Sequence, residues 1–205
     1  MKTQIAIGAI AVASLVAAGC GSGSSSSSTS TPKSTPTGSA KQVNPNAPEV
    51  SPNGDIPDTQ AYVPFSAPGT NVTVKVPEGW SRSSAATGTT LTDKLNSITI
   101  EQRKAAGAVT VAQAKQTDVP ALAKSVKGFK LKSVSQLQRK AGPVVRISYL
   151  AVAKKNPVTG KGGTDAVERY LFVKSGKELV LTLSGPKGAD NVDPWKIVTN
   201  SVVWR

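Results

Sequence analysis

The residue with the clearest chemistry is Cys20, the only cysteine among 205 residues, placed directly after Ala17-Ala18-Gly19. A lone thiol closes no intrachain disulfide and builds no thiolate metal site. Histidine is absent, which removes Ser-His-Asp and Cys-His nucleophile systems, histidine metal ligands and an imidazole pH switch. Carboxylates are what remains for catalysis. Asp165 and Glu168 lie close in sequence, but on an extended strand residues at that spacing point to opposite faces and do not converge on one substrate. Asp190 and Asp193 stand where a helix begins, and capping with the helix dipole accounts for them. Ser30-Thr-Pro-Lys33 spells the S-x-x-K of acyl-transferring serine enzymes; in a serine-rich tract with no fold around it, the match is chance. The reading is a protein that is not an enzyme, with no cofactor and no metal. A carboxylate glycosidase whose residues meet only in the fold is the enzymatic alternative.

The elements around Cys20 explain its position. Lys2 gives a charged start, Ile5 to Ala18 is apolar apart from Gly8 and Ser14, and small residues close the stretch before the cysteine. This is the layout of an export signal. The stretch is too short to span the ~30 Å of bilayer hydrocarbon as a helix. Its end resembles a bacterial lipobox, in which the cysteine becomes the acylated first residue of the mature chain, although such boxes usually carry Leu or Val where this chain has Ala17. An ordinary signal peptide with a stray cysteine is the alternative. Residues 1–19 are therefore read as a lipoprotein signal peptide, and Cys20 as the lipid attachment site that holds the protein to a membrane.

Residues 20–60 read as a tether. From Gly21 to Gln60, 25 of 40 residues are Ser, Thr, Gly or Pro and none is aromatic, so the stretch buries too little to offset the entropy of folding. As a flexible coil of that length it reaches roughly 35 Å. Thr31-Pro32 and Thr35-Pro36 could accept O-linked sugar, or the spacer is unmodified.

Residues 61–205 hold all nine aromatics and read as one α+β domain, long enough for a core without disulfides. Val72, Val74 and Val76 alternate with polar residues before Pro77-Glu78-Gly79-Trp80 turns the chain, and Ile98 and Ile100 mark a second strand. Thr110 to Gln113 forms a capping box that opens a helix toward Val126, which Pro120 must break or restart. Beyond Gly128, Phe129, Leu131 and Ser133 are expected on one strand face. Val145 to Ala153 is the longest alternation, and Lys174-Ser-Gly-Lys177 is a tight hairpin. Asp193-Pro194 is expected to cap and start a last helix with Trp195, Val198 and Val202 inward. Two or three helices around five to seven mostly antiparallel strands make an α+β sandwich.

The charge of this block points to its partners. The chain carries 25 Lys and Arg against 12 Asp and Glu, and between Val119 and Gly163 ten residues are basic and none acidic. Outside a cell membrane such an excess meets anionic phospholipid head groups; scattered over strand faces, it serves solubility instead. Lys130, Lys132, Arg139 and Lys140 are the candidates for one anionic contact surface. Trp80 is the candidate to border a ligand groove, because an indole suits a boundary with one dry side; core packing is the other role open to it. Gly160-Lys-Gly-Gly163 fits a nucleic-acid-binding GXXG loop, but three glycines in a hairpin connection make a turn and export removes the substrate. No nucleic acid is expected.

A lipobox, a Ser/Thr/Pro tether, a P-x-G-W at Pro77 to Trp80, a central helix, long hairpins and a terminal Trp-bearing helix together resemble the mycobacterial LpqN/LpqT lipoproteins. The resemblance implies a PsbP-like α-β-α sandwich, with a mostly antiparallel sheet. It also implies a non-enzymatic envelope protein that binds glycolipid of the trehalose-mycolate type and meets the lipid-transport or mycolyl-transfer proteins for such lipids. It carries over no catalytic residue. The protein is accordingly expected outside the cell, lipid-anchored on the outer face of the membrane or in the envelope, with glycolipid or anionic phospholipid as ligand. An interaction or spacer module without a small ligand is the competing expectation.

Overall fold

Alternating Val, Ile and Leu set out the longer strands, and the computed structural model, which describes residues 53–154 and 162–205, contains ten strands. Cys20, its signal segment and the tether up to residue 52 lie outside the described residues, as do Lys155 to Lys161. In order come β1 (Tyr62–Ser66), β2 (Val72–Pro77), β3 (Ser81–Ala85), β4 (Gly88–Thr92), β5 (Ser97–Lys104), α1 (Val111–Gln116) and α2 (Asp118–Ser125). There follow β6 (Lys130–Arg139), β7 (Gly142–Val152), β8 (Thr164–Lys174), β9 (Lys177–Pro186), α3 (Val192–Asn200) and β10 (Val203–Trp204). A seven-stranded sheet runs β3-β4-β5-β9-β8-β7-β6, and a small one runs β1-β2-β10. Every pairing is antiparallel.

The large sheet is covered on both faces, which is why its central strands read as near-continuous apolar runs. On one face Val145, Ile147, Tyr149, Val167 and Leu171 pack against Ala114 and Leu122 of α1 and α2. On the other, Ile98, Ile100, Phe172, Leu181 and Leu183 pack with Trp195 and Val198 of α3 and with Val72, Val74 and Val76 of the small sheet. Side chains such as Ile100 and Leu181, at 0% exposure, each contribute about 2 kcal/mol. Both cores lie inside one compact unit, Pro48–Arg205.

Local chemistry sets the joints. Thr110 Oγ1 accepts from Gln113 N at 3.1 Å, as the capping box predicts. The helix then stops at Gln116 and restarts at Asp118, leaving Pro120 in the first turn of α2, where its missing N–H costs nothing. Ser175 (φ 49°) and Gly176 (φ 72°) are both left-handed at the β8–β9 turn, the pair a two-residue hairpin needs.

Three expectations are corrected. The fold starts before Ala61: Ile56 is buried at 4% exposure, held by polar bonds that composition does not reveal. A β-bulge at Lys132 shifts the β6 register, so Ser133 turns to the face opposite Phe129 and Leu131. Asn191, not Asp193, is the N-cap of α3; Asp193 sits in its first turn.

Candidate functional site

A hollow runs along the outer face of α3. Asp193, Lys196, Ile197 and Asn200 lie on one helical stripe, as their spacing requires. Lys75 of β2, Lys140 of the β6–β7 turn and Ser201 complete a groove of about 490 Å³. The elements are fastened where they meet: Lys75 N donates to Ser201 Oγ at 2.7 Å, and Arg139 Nε donates to Thr199 Oγ1 at 2.9 Å. Three ammonium groups face one carboxylate across this space, with an amide and a hydroxyl at its end and the half-exposed Ile197 on its wall. Such a set offers donors suited to an anion or a polyol, although the Ser201 hydroxyl is already engaged by Lys75 N and Val198 O; it contains no nucleophile with an adjacent base.

A second hollow, about 140 Å³, lies on the α3 side of the large sheet between Ser148, Glu168, Asn191, Val192 and Trp195. Beside it runs a polar file that the sequence did not announce. Arg146 Nη1 donates to Glu168 Oε1 at 3.0 Å, and Tyr170 OH donates to Glu168 Oε2 at 2.6 Å. Arg139 stacks its guanidinium 5.6 Å from the centre of the Tyr170 ring. Both oxygens of Glu168 are thus engaged, which suits a brace between β7 and β8 and not a proton-transfer group. Asp165 lies on the opposite face of β8, accepting from Ser184 at 3.1 Å, as the odd spacing predicted. Burial pushes its carboxyl pKa up. Only the pairing register brings Arg146, Glu168 and Tyr170 together, so no local motif could have found them.

Burial and the Glu168 hydrogen bond push the Tyr170 phenol from 10.0 up to about 12, and burial alone takes Tyr62 to about 12. The unfolded chain releases these protons near pH 10, while the fold retains them. The stability they contribute is therefore complete below pH 10 and lost as pH rises toward 12. An absorbance titration of the native protein should show phenolate forming later than in urea. Coincident curves would contradict the burial.

The four basic candidates do not form one surface. Lys130 and Lys132 lie at one end of β6, and Arg139 and Lys140 at the other, roughly 30 Å away at about 3.3 Å per residue. Lys140 lines the α3 groove. Arg139 is committed to Thr199 and Tyr170 and is a brace. Trp80, 9% exposed, is packed in the core beside the small sheet and lines neither hollow; Gly79, at φ +82°, turns the chain that inserts it. Among the described residues no cluster of His, Cys, Asp and Glu could hold a metal, and no helix is long and apolar enough to cross a membrane.

No family model matches the chain, and no curated protein matches it. Among solved structures it is similar to the cyanobacterial PsbP protein (CyanoP) of Synechocystis sp. PCC 6803, with 11% identity over 76% of this chain and 99% of that one and a TM-score of 0.51. The fold is PsbP-like. LpqN, involved in cell envelope biogenesis of Mycobacterium tuberculosis, aligns at 18% identity over 75% of this chain and 98% of its own, with a TM-score of 0.44. The Saccharomyces cerevisiae Ran-binding protein Mog1p aligns at 13% identity over 70% and 88%, with a TM-score of 0.45. At such identities the likeness concerns fold alone, and the chemistry of this PsbP-like domain is argued from its own side chains.

Proposed function

We propose that the chain is an exported, lipid-anchored, non-enzymatic envelope protein whose PsbP-like domain takes the polar head of an amphipathic envelope lipid into the α3 groove. The observation that carries this is the groove itself: Lys75, Lys140 and Lys196 around about 490 Å³, within the 300–1,000 Å³ usual for small-molecule sites. The layout shared with the LpqN/LpqT lipoproteins supports a glycolipid of the trehalose-mycolate type, and the excess of ammonium groups supports an anionic phospholipid. Neither hollow is an apolar tunnel, so the head is the recognised part and the tail lies along Ile197 and the lysine stems. The ligand passes from here to lipid-transport or mycolyl-transfer proteins.

Calorimetry of residues 48–205 with dodecyl-trehalose, dodecyl phosphate and free trehalose, all below micelle concentrations, tests this. The alkylated ligands should bind more tightly than trehalose. The variant Lys75→Ala/Lys140→Ala/Lys196→Ala should lose at least about tenfold for dodecyl phosphate, because charge-assisted contacts are the stronger kind. Equal binding of all three ligands, or an unaffected variant, overturns the lipid reading. The openness of the groove then favours a protein partner with an acidic surface.

A further inference from the structure

A second basic surface lies at the other end of the large sheet. Lys127, Lys130, Lys132 and Lys154 are all exposed there, at the corner where the chain leaves α2 and where β7 ends. Val152 N donates to Lys127 O at 2.9 Å, Lys130 stands opposite Leu150, and Lys132 is the bulged residue between them and Ser133. Leu131 and Val152, at this end of β6 and β7 and on opposite faces of the sheet, are 42% and 48% exposed. No acidic residue occurs between Val119 and Gly163.

The first described residues of the chain lie at the same end. Asn191 holds Gly54 and Ile56 through 3.0 Å and 2.9 Å hydrogen bonds, and Gly54 lies so close on Pro186 that a Cβ would meet its ring at 2.5 Å. Pro186 ends β9 opposite Asp165 of β8, and Thr164 of β8 stands opposite Val152 of β7. Gly54 is therefore about two strand spacings, or ~10 Å, from the basic corner. Acids at this end are engaged or set apart. Asp55 accepts from Asp190 N, Asp93 from Leu95 and Asn96, and Asp165 from Ser184. Asp58 and the Asp190 carboxylate belong to the loops leading into β1 and α3.

We infer that the β6–β7 corner is the membrane-facing surface of the domain, docking on the anionic head groups of the bilayer to which the tether runs. Four ammonium groups meet the phosphates, and Leu131 and Val152 enter the interfacial layer, where apolar side chains add to electrostatic attraction. The α3 groove, at the far end of β6, stays open. The inference shares with the proposed function only the membrane tether; its test omits the anchor and leaves the α3 groove unaltered in every variant, so the two readings fail separately.

Residues 48–205 should co-sediment with phosphatidylcholine vesicles containing phosphatidylglycerol at about 0.01 M salt, and not with phosphatidylcholine alone. Raising salt to about 0.15 M should release most of the protein, since screening contracts to about 8 Å. Lys127→Ala/Lys130→Ala/Lys132→Ala should weaken binding on the order of a hundredfold. The equally discharged Lys104→Ala/Lys174→Ala/Lys177→Ala, at the opposite end of the sheet, should change it no more than about threefold. These side chains are exposed, and circular dichroism checks that both variants fold. Equal loss in the two variants would assign the binding to net charge, and no binding by the parent domain would leave the lysines as guards of an edge strand; either result overturns the inference.

Discussion

Replacing Asn191 with Leu should destabilise the domain by about 3 kcal/mol and release the first described segment from the core. Asn191 is 5% exposed. Its Oδ1 accepts from Ile56 N at 2.9 Å, and its Nδ2 donates to Gly54 O and Asn96 Oδ1, both at 3.0 Å. Leucine keeps nearly the same volume and removes all three bonds. It leaves the Ile56 N–H and the side-chain oxygen of Asn96, itself 2% exposed, without these partners, while Asn96 Nδ2 keeps Asp93, at roughly 1–3 kcal/mol for each orphaned group. For a domain of this size the midpoint of thermal unfolding should fall by roughly 10 °C. Limited proteolysis should then cut before Tyr62, because Ile56 no longer holds its place. Asp190→Ala, at an exposed neighbour, should change stability by no more than about 0.5 kcal/mol. If Asn191→Leu behaves like Asp190→Ala, the segment is held by apolar contact and the polar hub is incidental.

This hub also explains where the domain boundary escaped the sequence. Ser51 to Gln60 is made of turn formers and reads as more tether. What holds Gly54 and Ile56 in place is an asparagine 135 residues away from Ile56, and no local pattern encodes such a partner. The strands that were legible are those with two packed faces or a clean alternation: β2, β5, β7 and the β8–β9 hairpin. Those that were not are β1, which carries Pro64, and β3, whose five residues are all exposed and which is a strand only because β4 pairs with it. Propensity is a weak guide where packing is absent.

The site divides the same way. The inward stripe of α3 was readable from Trp195 and Val198, whereas Val202, expected on the same stripe, lies beyond the helix end at Asn200; the outward stripe follows from the same periodicity. Lys75 and Lys140 reach that stripe from a different sheet and from a turn, so the groove exists only in the fold. The basic excess was readable as a count but not as a distribution. A single long strand separates Lys130 from Arg139, and a bulge shifts Lys132 out of the alternation. What composition presents as one run of charge becomes two surfaces at opposite ends of the large sheet.

The substitution with the largest cellular effect should be Cys20→Ala. The chain holds one cysteine, at the end of an apolar stretch too short to span a bilayer, and two acyl chains on it would make an anchor that a single chain cannot. In the wild type, mass spectrometry should find a mature chain that begins at Cys20 and carries lipid, and the protein should stay in the membrane fraction through a high-salt wash. In Cys20→Ala the anchor is gone, and the proposed docking at the basic corner would hold the membrane electrostatically. The variant should therefore be retained in part at low salt and pass wholly to the soluble exported fraction in the wash, since exposed charges lose their range as salt rises. Adding Lys127→Ala/Lys130→Ala/Lys132→Ala should remove the low-salt retention as well. Should Cys20→Ala stay with the membrane after the wash, the anchor is not the cysteine and the lipobox reading falls; should it wash off while the low-salt retention survives the lysine changes, the anchor stands and the docking corner falls.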